Sequence, residues 1–325
     1  MIKPWIFEFF AAPGKLHERF DASHSLRYFN AYLGLWASAE PAGFEGIFFS
    51  EHHYGAAYSP APNLLIANIA SRTTKLRLGT LGMVAPYHTP WQLIEEIGML
   101  DHLTGGRLEI GTAAGIPNEM EKIGLGPDEA RARNDEVLDI LDAALKSPVI
   151  SHHGKFWHFD NLHLTPRPVQ QPSPPVWVTV VSVSSARKAA RRGAKLCTGF
   201  HPLSKIIEIF DAFRDEAYKV GRKVGPDDLC IRRQVTLLDD EREAASMSTP
   251  NAAIRSSFFQ QTHDSIHQTG RRSSIRRRRT HSRLAMTNSS PVPLSPSRIK
   301  SSTSAKLPAL AILRLRSTGL SRRRG

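Results

Sequence analysis

The stretch GFEGIFFSEHHY, residues 43–54, decides the fold class because a short apolar run in it ends abruptly in polar groups. Gly46–Phe49 has the composition of a strand that is buried on both faces. Residues 50–53 then supply a hydroxyl, a carboxylate and two imidazoles. In parallel α/β sheets and barrels, ligand sites lie at the carboxyl ends of strands. This segment is therefore a candidate site, and a polar strand end that only meets solvent is the alternative.

The charge of the chain is distributed very unevenly. Of its 325 residues, the first 243 carry 27 Lys+Arg and 29 Asp+Glu, whereas residues 244–325 carry 16 Lys+Arg and a single acid. The first 243 residues are thus nearly neutral, and 41% of the residues in the whole chain are hydrophobic. Both properties are typical of a globular protein that buries a sizeable core. The net charge of +13 therefore does not by itself indicate a nucleic-acid binder.

The cysteines and the hydropathy pattern indicate the compartment. Cys197 and Cys230 are the only cysteines, which makes neither a disulfide framework nor a zinc site of recognisable spacing. No run approaches the roughly 18 apolar residues of a membrane span. The opening apolar stretch resembles a signal peptide, but Glu8 interrupts it and a first strand is the better interpretation. We expect a cytoplasmic protein with no metal and no membrane contact.

Short apolar runs alternate with amphipathic stretches along the front of the chain. The predicted strands are residues 5–10, 46–49, 76–84, 107–112, 176–181, 195–199 and 229–238. The predicted helices are residues 26–42, 62–71, 90–103, 128–146, 184–192 and 205–220, and Thr89 is a predicted cap. A hairpin around Gly154 is expected within the proline-rich residues 147–175.

Seven strands that alternate with helices predict a parallel α/β fold, and the number approaches the eight of a closed (β/α)8 TIM-type barrel. A doubly wound open sheet remains the alternative from the pattern alone. It is disfavoured because no G-x-G-x-x-G or Walker-type sequence follows the first strand.

Several segments in a fixed order resemble the bacterial luciferase-like flavin monooxygenases. They are GFEGIFFSEHHY, LRLGTLGMV, PWQLIEEIGMLDHLTGGRLEIGTAAG, LTPRPVQQPSPPVWV and SSARKAARRG. The resemblance as a whole covers about residues 1–240. The resemblance implies a (β/α)8 barrel that uses reduced FMN (FMNH2) and O2 on a small organic substrate. A separate flavin reductase is the expected electron source, since no nicotinamide fingerprint is visible, and a homodimer is a further expectation. The alternatives are a deazaflavin cofactor and a non-catalytic flavin-binding or deazaflavin-binding barrel.

The resemblance also implies roles for the residues of the opening stretch. His52 matches the catalytic histidine of the family, and a histidine suits proton transfer near neutral pH. Glu51 would support His52 or line the flavin site. Because neighbouring side chains of an extended segment point to opposite sides, His53 is expected to point away from the pocket.

The same resemblance places the flavin. Leu81 and Gly82 match the backbone that lies against the flavin ring, where a missing side chain is useful. Ser182, Ser184 and Ser185 stand at the start of a predicted helix, where hydroxyl and N–H groups suit a phosphate. Arg131 matches a family arginine that helps to hold the flavin phosphate. The remaining expected flavin contacts follow two strands: Ala113, Ala114 and Val181. Ala113 and Ala114 depart from the family, because luciferases have a cysteine and an arginine there.

The last quarter of the chain departs further. From residue 244 the sequence is rich in Arg, Ser and Pro, a composition that predicts disorder. No eighth strand is expected there, because residues 307–315 are basic and flanked by proline. The barrel is thus predicted to be truncated after strand seven, with two unpaired edges. A frameshift near residues 240–250 is the main hypothesis, and a polybasic arm that binds nucleic acid or acidic membrane through phosphate contacts is the alternative.

Overall fold

The computed structural model describes residues 2–12, 18–55, 57–199, 201–234 and 310–315. Its strands are β1 (Ile2–Glu8), β2 (Gly46–Phe49), β3 (Arg77–Thr80), β4 (Met83–Val84), β5 (Leu108–Ala113), β6 (Val149–His153), β7 (His158–His163), β8 (Val176–Thr179), β9 (Lys195–Gly199), β10 (Leu229–Gln234) and β11 (Leu310–Leu315). Its α-helices are α1 (Ala22–Ala37), α2 (Pro62–Ala70), α3 (Pro90–Leu103), α4 (Pro117–Lys122), α5 (Pro127–Lys146), α6 (Val183–Arg191) and α7 (Leu203–Lys219).

The main sheet is a barrel. Its strand order is β3-β2-β1-β11-β10-β9-β8-β5-β4, and β3 also pairs with β5, so that the pairings form a ring. The pairings β1–β2, β2–β3, β3–β5, β5–β8, β8–β9 and β9–β10 are all parallel. This arrangement confirms the predicted TIM-type α/β barrel. The predicted hairpin forms a separate two-stranded sheet, β6–β7.

The place of the eighth strand is taken by β11, which pairs antiparallel with both β1 and β10. The parallel series does end after the seventh predicted strand within the described residues. The expectation of two unpaired edges is wrong, however, and so is the exclusion of a strand from residues 307–315. Two neighbouring edges with open N–H and C=O groups offer a template for any extended apolar segment, and that gain outweighs the basic flanks.

Two layers of apolar side chains hold the barrel. Inside the ring lies a cluster that we call the lumen cluster: Trp5, Phe7, Phe48, Leu81, Trp177, Cys197 and Cys230, with Phe9 packed against it. Outside the ring, the helices bury two further clusters against the strands. Strands buried on both faces require nearly continuous apolar runs, and this explains the composition of β2.

Three local predictions need correction. The strand predicted at residues 76–84 is interrupted between β3 and β4, where the peptide bond between Leu81 and Gly82 is cis. Helix α4 was not predicted, because its six residues carry no apolar repeat. Thr89 takes the cap position of α3, but its side chain makes no capping hydrogen bond.

The chain divides into a barrel unit, residues 1–236 and 309–325, and a second unit, residues 237–308. The second unit lies outside the described residues. Of the predicted basic tail, only β11 is described, so the boundary at residue 243, the disorder, the frameshift and the polybasic arm stay predictions.

Candidate active site

The histidine predicted to be catalytic lies at the carboxyl end of β2. Phe48 points into the lumen cluster, and the alternation of an extended chain carries that direction on to residues 50 and 52. The ring of His52 lies 5.4 Å from the ring of Phe9, centroid to centroid. His52 therefore continues the inward-facing column of side chains at the mouth of the barrel.

A buried glutamate on α4 orients His52. Nδ1 of His52 lies 3.1 Å from Oε1 of Glu119, and the backbone N–H of His53 donates to the same oxygen at 3.2 Å. Only 2% of Glu119 is exposed. Its other oxygen, Oε2, is buried without a hydrogen-bond partner among the described residues. A carboxylate in this place favours the tautomer with hydrogen on Nδ1, which leaves Nε2 as the nitrogen that can accept a proton.

Glu51 lies on the other side of the segment, where three neighbouring groups bind its carboxylate. Its carboxylate accepts hydrogen bonds from Nε2 of His53 at 2.9 Å, from Nε2 of His88 at 2.9 Å and from the N–H of Val84 at 2.9 Å. Burial acts to raise the pKa of Glu51, but the hydrogen bonds from His53 and His88 outweigh it and lower the pKa. The pKa of His88 is raised, since its bond to Glu51 outweighs burial.

His53 faces away from the side of the segment on which His52 lies, as the alternation predicts. It lines a separate open cavity of about 480 Å³ together with Tyr54, Tyr87 and Arg133. The two imidazole rings thus lie at different surfaces, and each ring contacts a different glutamate.

The predicted flavin wall around Gly82 is packed against the neighbouring strand. A Cβ on Gly82 would lie 2.4 Å from the carbonyl carbon of Thr112 and 2.8 Å from the nitrogen of Ala113. Only glycine fits this close backbone approach. Leu81 belongs to the lumen cluster. Gly82 therefore has a packing requirement of its own, in addition to any contact with a ligand.

The small-residue segment after β5 lies beside this wall. Ala113 ends β5 and pairs with Val84 of β4. Ala114 follows it and is half-buried. The two alanines present only methyl groups here, so neither can supply the charge that an arginine would bring.

The predicted phosphate-binding serines form a cluster at the start of α6. The Ser182 and Ser185 side chains cap each other's backbone N–H groups at 3.2 Å. The Ser182 Oγ also lies 3.0 Å from the Ser184 Oγ. The first turn of α6 contains no acidic residue. Val181, just before the cap, is 64% exposed.

Arg131 lies on α5, and ion pairs join this helix to α6. Lys188 pairs with Asp135, and Arg192 pairs with Asp139. The exposed Arg131 pairs with Asp128 in the described structure.

The parallel barrel and the histidine–carboxylate pair at its mouth define a barrel protein with a candidate site at the carboxyl-terminal face of the strands. The sequence model of the family described as luciferase-like monooxygenase matches residues 12–295. This chain belongs to the luciferase-like monooxygenase family.

Known proteins resemble the chain over part of their length. Protein y4wF of Sinorhizobium fredii is 38% identical over 199 residues, which are 60% of this chain and 58% of the relative. The oxygenase component of a flavin-dependent trigonelline monooxygenase from Acinetobacter baylyi is 29% identical over 229 residues, 69% of this chain and 63% of the relative. The chain thus spans about three fifths of the length of these relatives.

A solved structure agrees with the fold over more of the chain. Monooxygenase RslO1 from Streptomyces bottropensis is 26% identical, covers 81% of this chain and 82% of its own, and has a TM-score of 0.69.

Sequence reasoning missed two members of the candidate site. Glu119 lies on the unpredicted α4, and His88 lies in the turn before α3. Each residue comes shortly after a strand that ends at the carboxyl-terminal face of the barrel. That position is the sequence signal that could have identified them. In the part of the chain that the structure describes, there is no cluster of three or more potential metal ligands and no helix long and apolar enough to cross a membrane.

Proposed function

We propose that this chain is the oxygenase of a two-component flavin-dependent system. It would use reduced FMN and O2 to oxidise a small organic substrate, and a separate reductase would supply the reduced flavin. The observation that carries the proposal is the contact between His52 and Glu119 at the mouth of the barrel. The name of the Acinetobacter baylyi relative, a flavin-dependent oxygenase component, supports it.

The residues present fit an FMN phosphate. Three serine hydroxyls at the start of α6 stand at the positive end of the helix dipole, and the first turn there has no acid. Arg131, which pairs with Asp128, would exchange that partner for the phosphate. Leu81, Gly82, Ala113, Ala114 and Val181 would line the flat ring. Bound reduced FMN would supply the electrons for O2.

The protein's own residues would then control protons and water. The Glu119 carboxylate would hold His52 so that Nε2 faces the lumen and accepts or returns a proton at the substrate. The aromatic members of the lumen cluster would exclude water from the same space. Glu51 would act indirectly, because its contacts hold the backbone of Val84 and the ring of His53 in place.

The test combines flavin binding with oxygen consumption. The full chain is titrated with FMN, and oxygen uptake is then followed with reduced FMN and a panel of small aromatic and aliphatic acids, aldehydes and ketones. The proposal predicts FMN binding and an oxygen uptake that depends on one class of probe. Binding of a deazaflavin without any probe-dependent uptake would favour the non-catalytic alternative instead.

A further inference from the structure

An arginine on the inner face of the barrel has no role in the chemistry described so far. Cys230 of β10 belongs to the lumen cluster, and alternation along the strand puts Arg232 on the same face. The Arg232 Cζ lies 4.4 Å from the ring centre of Phe7 and 5.5 Å from that of Phe9. The residue as a whole is half-buried, and its guanidinium lies over aromatic rings.

Arg232 remains a cation in this apolar setting. Burial lowers its pKa to about 10, against the opposing influence of Cys197 and Cys230, and the side chain is therefore charged at neutral pH. Contact with two aromatic faces offsets part of the cost of desolvating a guanidinium. Gly199 makes room for it, since a Cβ at Gly199 would lie 2.8 Å from the Cβ of Arg232.

The order of the strands puts this arginine away from the proposed flavin site. Apart from Arg131 on α5, the residues assigned to FMN lie near the ends of β3, β4, β5 and β8, whereas Arg232 lies on β10, Phe7 on β1 and Phe9 directly after β1. These groups of strands occupy opposite sides of the ring. His52 contacts Phe9 as well, so one aromatic ring lies between the proposed proton carrier and the cation.

We propose that Arg232 binds the carboxylate of the substrate, and that the substrate is a small organic acid. The planar guanidinium can donate two parallel hydrogen bonds to a carboxylate. The apolar body of such an acid would lie along Phe7 and Phe9 and extend toward His52. The identification of the bound acid as the substrate rests on the proposed function. Binding of an anion at Arg232, however, can be measured without flavin or turnover.

The test uses benzoate as the probe and benzamide as its neutral counterpart, with binding to the full chain measured by calorimetry. Wild type is expected to bind benzoate about tenfold or more tightly than benzamide. Arg232→Met should remove that preference, and Arg232→Lys should keep part of it. Arg233→Met is the matched control, because alternation puts Arg233 on the outer face, and it should leave benzoate binding unchanged.

Two results would overturn the inference. One is equal affinity of wild type for benzoate and benzamide. The other is a loss of FMN affinity in Arg232→Met with the benzoate preference intact, which would assign Arg232 to the flavin site. If the wild type prefers benzoate to benzamide but oxygenates no substrate, the proposed function is refuted and the anion site is still supported.

Discussion

At the scale of single residues, the side chains of the two adjacent histidines contact different glutamates. Glu119 holds His52 at the lumen, and Glu51 holds His53 and His88 on the other side. The two acids therefore make different predictions, one for turnover and one for stability.

Replacing Glu119 with Gln should slow turnover without weakening flavin binding. The amide can still occupy the site but no longer favours one tautomer of His52, so kcat is expected to fall by about tenfold. KM and the FMN dissociation constant should stay within about twofold of wild type, because Glu119 would touch neither ligand. A change confined to KM would contradict a positioning role.

Replacing Glu51 with Gln should destabilise the fold by about 2 kcal/mol, since a buried acceptor of three hydrogen bonds is lost. Glu51 stabilises fully above its ordinary pKa of 4.5 and loses that contribution as the pH falls through its lowered pKa. His88 stabilises fully below 6.5 and loses its contribution as the pH rises through its raised pKa. Urea unfolding of both proteins should therefore show the largest difference between pH 4.5 and 6.5, and a difference independent of pH would contradict the pairing.

At the scale of elements, the start of α6 combines helix capping with the proposed phosphate site. Ser182 and Ser185 form the capping box, whereas Ser184 lies between them and contributes only a hydroxyl. Ser184 is therefore the position at which phosphate binding can be altered without removing the cap.

The variant Ser184→Ala is expected to weaken FMN binding by about fivefold to tenfold, the equivalent of one hydrogen bond to a charged group. Riboflavin, which has no phosphate, should bind equally to the variant and to wild type. Ser182→Ala serves as the contrast, because it should also lower stability by about 1 kcal/mol. If Ser184→Ala weakens the binding of FMN and of riboflavin equally, the phosphate does not bind at the start of α6.

Most elements could be predicted from the sequence because their signals are local. β2 and β9 were predicted with their observed bounds, since each is a short apolar run between glycine or polar residues. α4 could not be predicted, because Pro117–Lys122 is too short for a periodic pattern. Glu119 was missed with it, and its contact to His52 joins residues that lie 67 positions apart.

At the scale of the whole molecule, the ring of strands depends on a segment remote from the rest of the barrel. β11 pairs with β1 and β10, and at least 75 residues separate it from the end of β10. No local pattern specifies such a pairing, because it arises from the two edges that the parallel strands leave open.

A proline in β11 tests this closure. Ile312 is aligned with Trp5 of β1 and with Arg232 of β10. Ile312→Pro removes a ladder N–H and leaves its acceptor without a partner, which should cost about 1–3 kcal/mol. Hydrogen exchange should then rise in β1 and β10 but not in β2, which keeps parallel neighbours on both sides. Unchanged exchange in β1 and β10 would show that β11 does not close the ring in solution.

The most direct test of the central claim is isotope incorporation from ¹⁸O2 with reduced FMN and the probe that stimulates oxygen uptake. Wild type should place ¹⁸O in the organic product. His52→Ala should bind FMN normally and form at least about 100-fold less labelled product, while His153→Ala, a substitution in the exposed hairpin, should match wild type. Equal labelling by wild type and His52→Ala would remove His52 from the mechanism, and no labelling by wild type would contradict the oxygenase function itself.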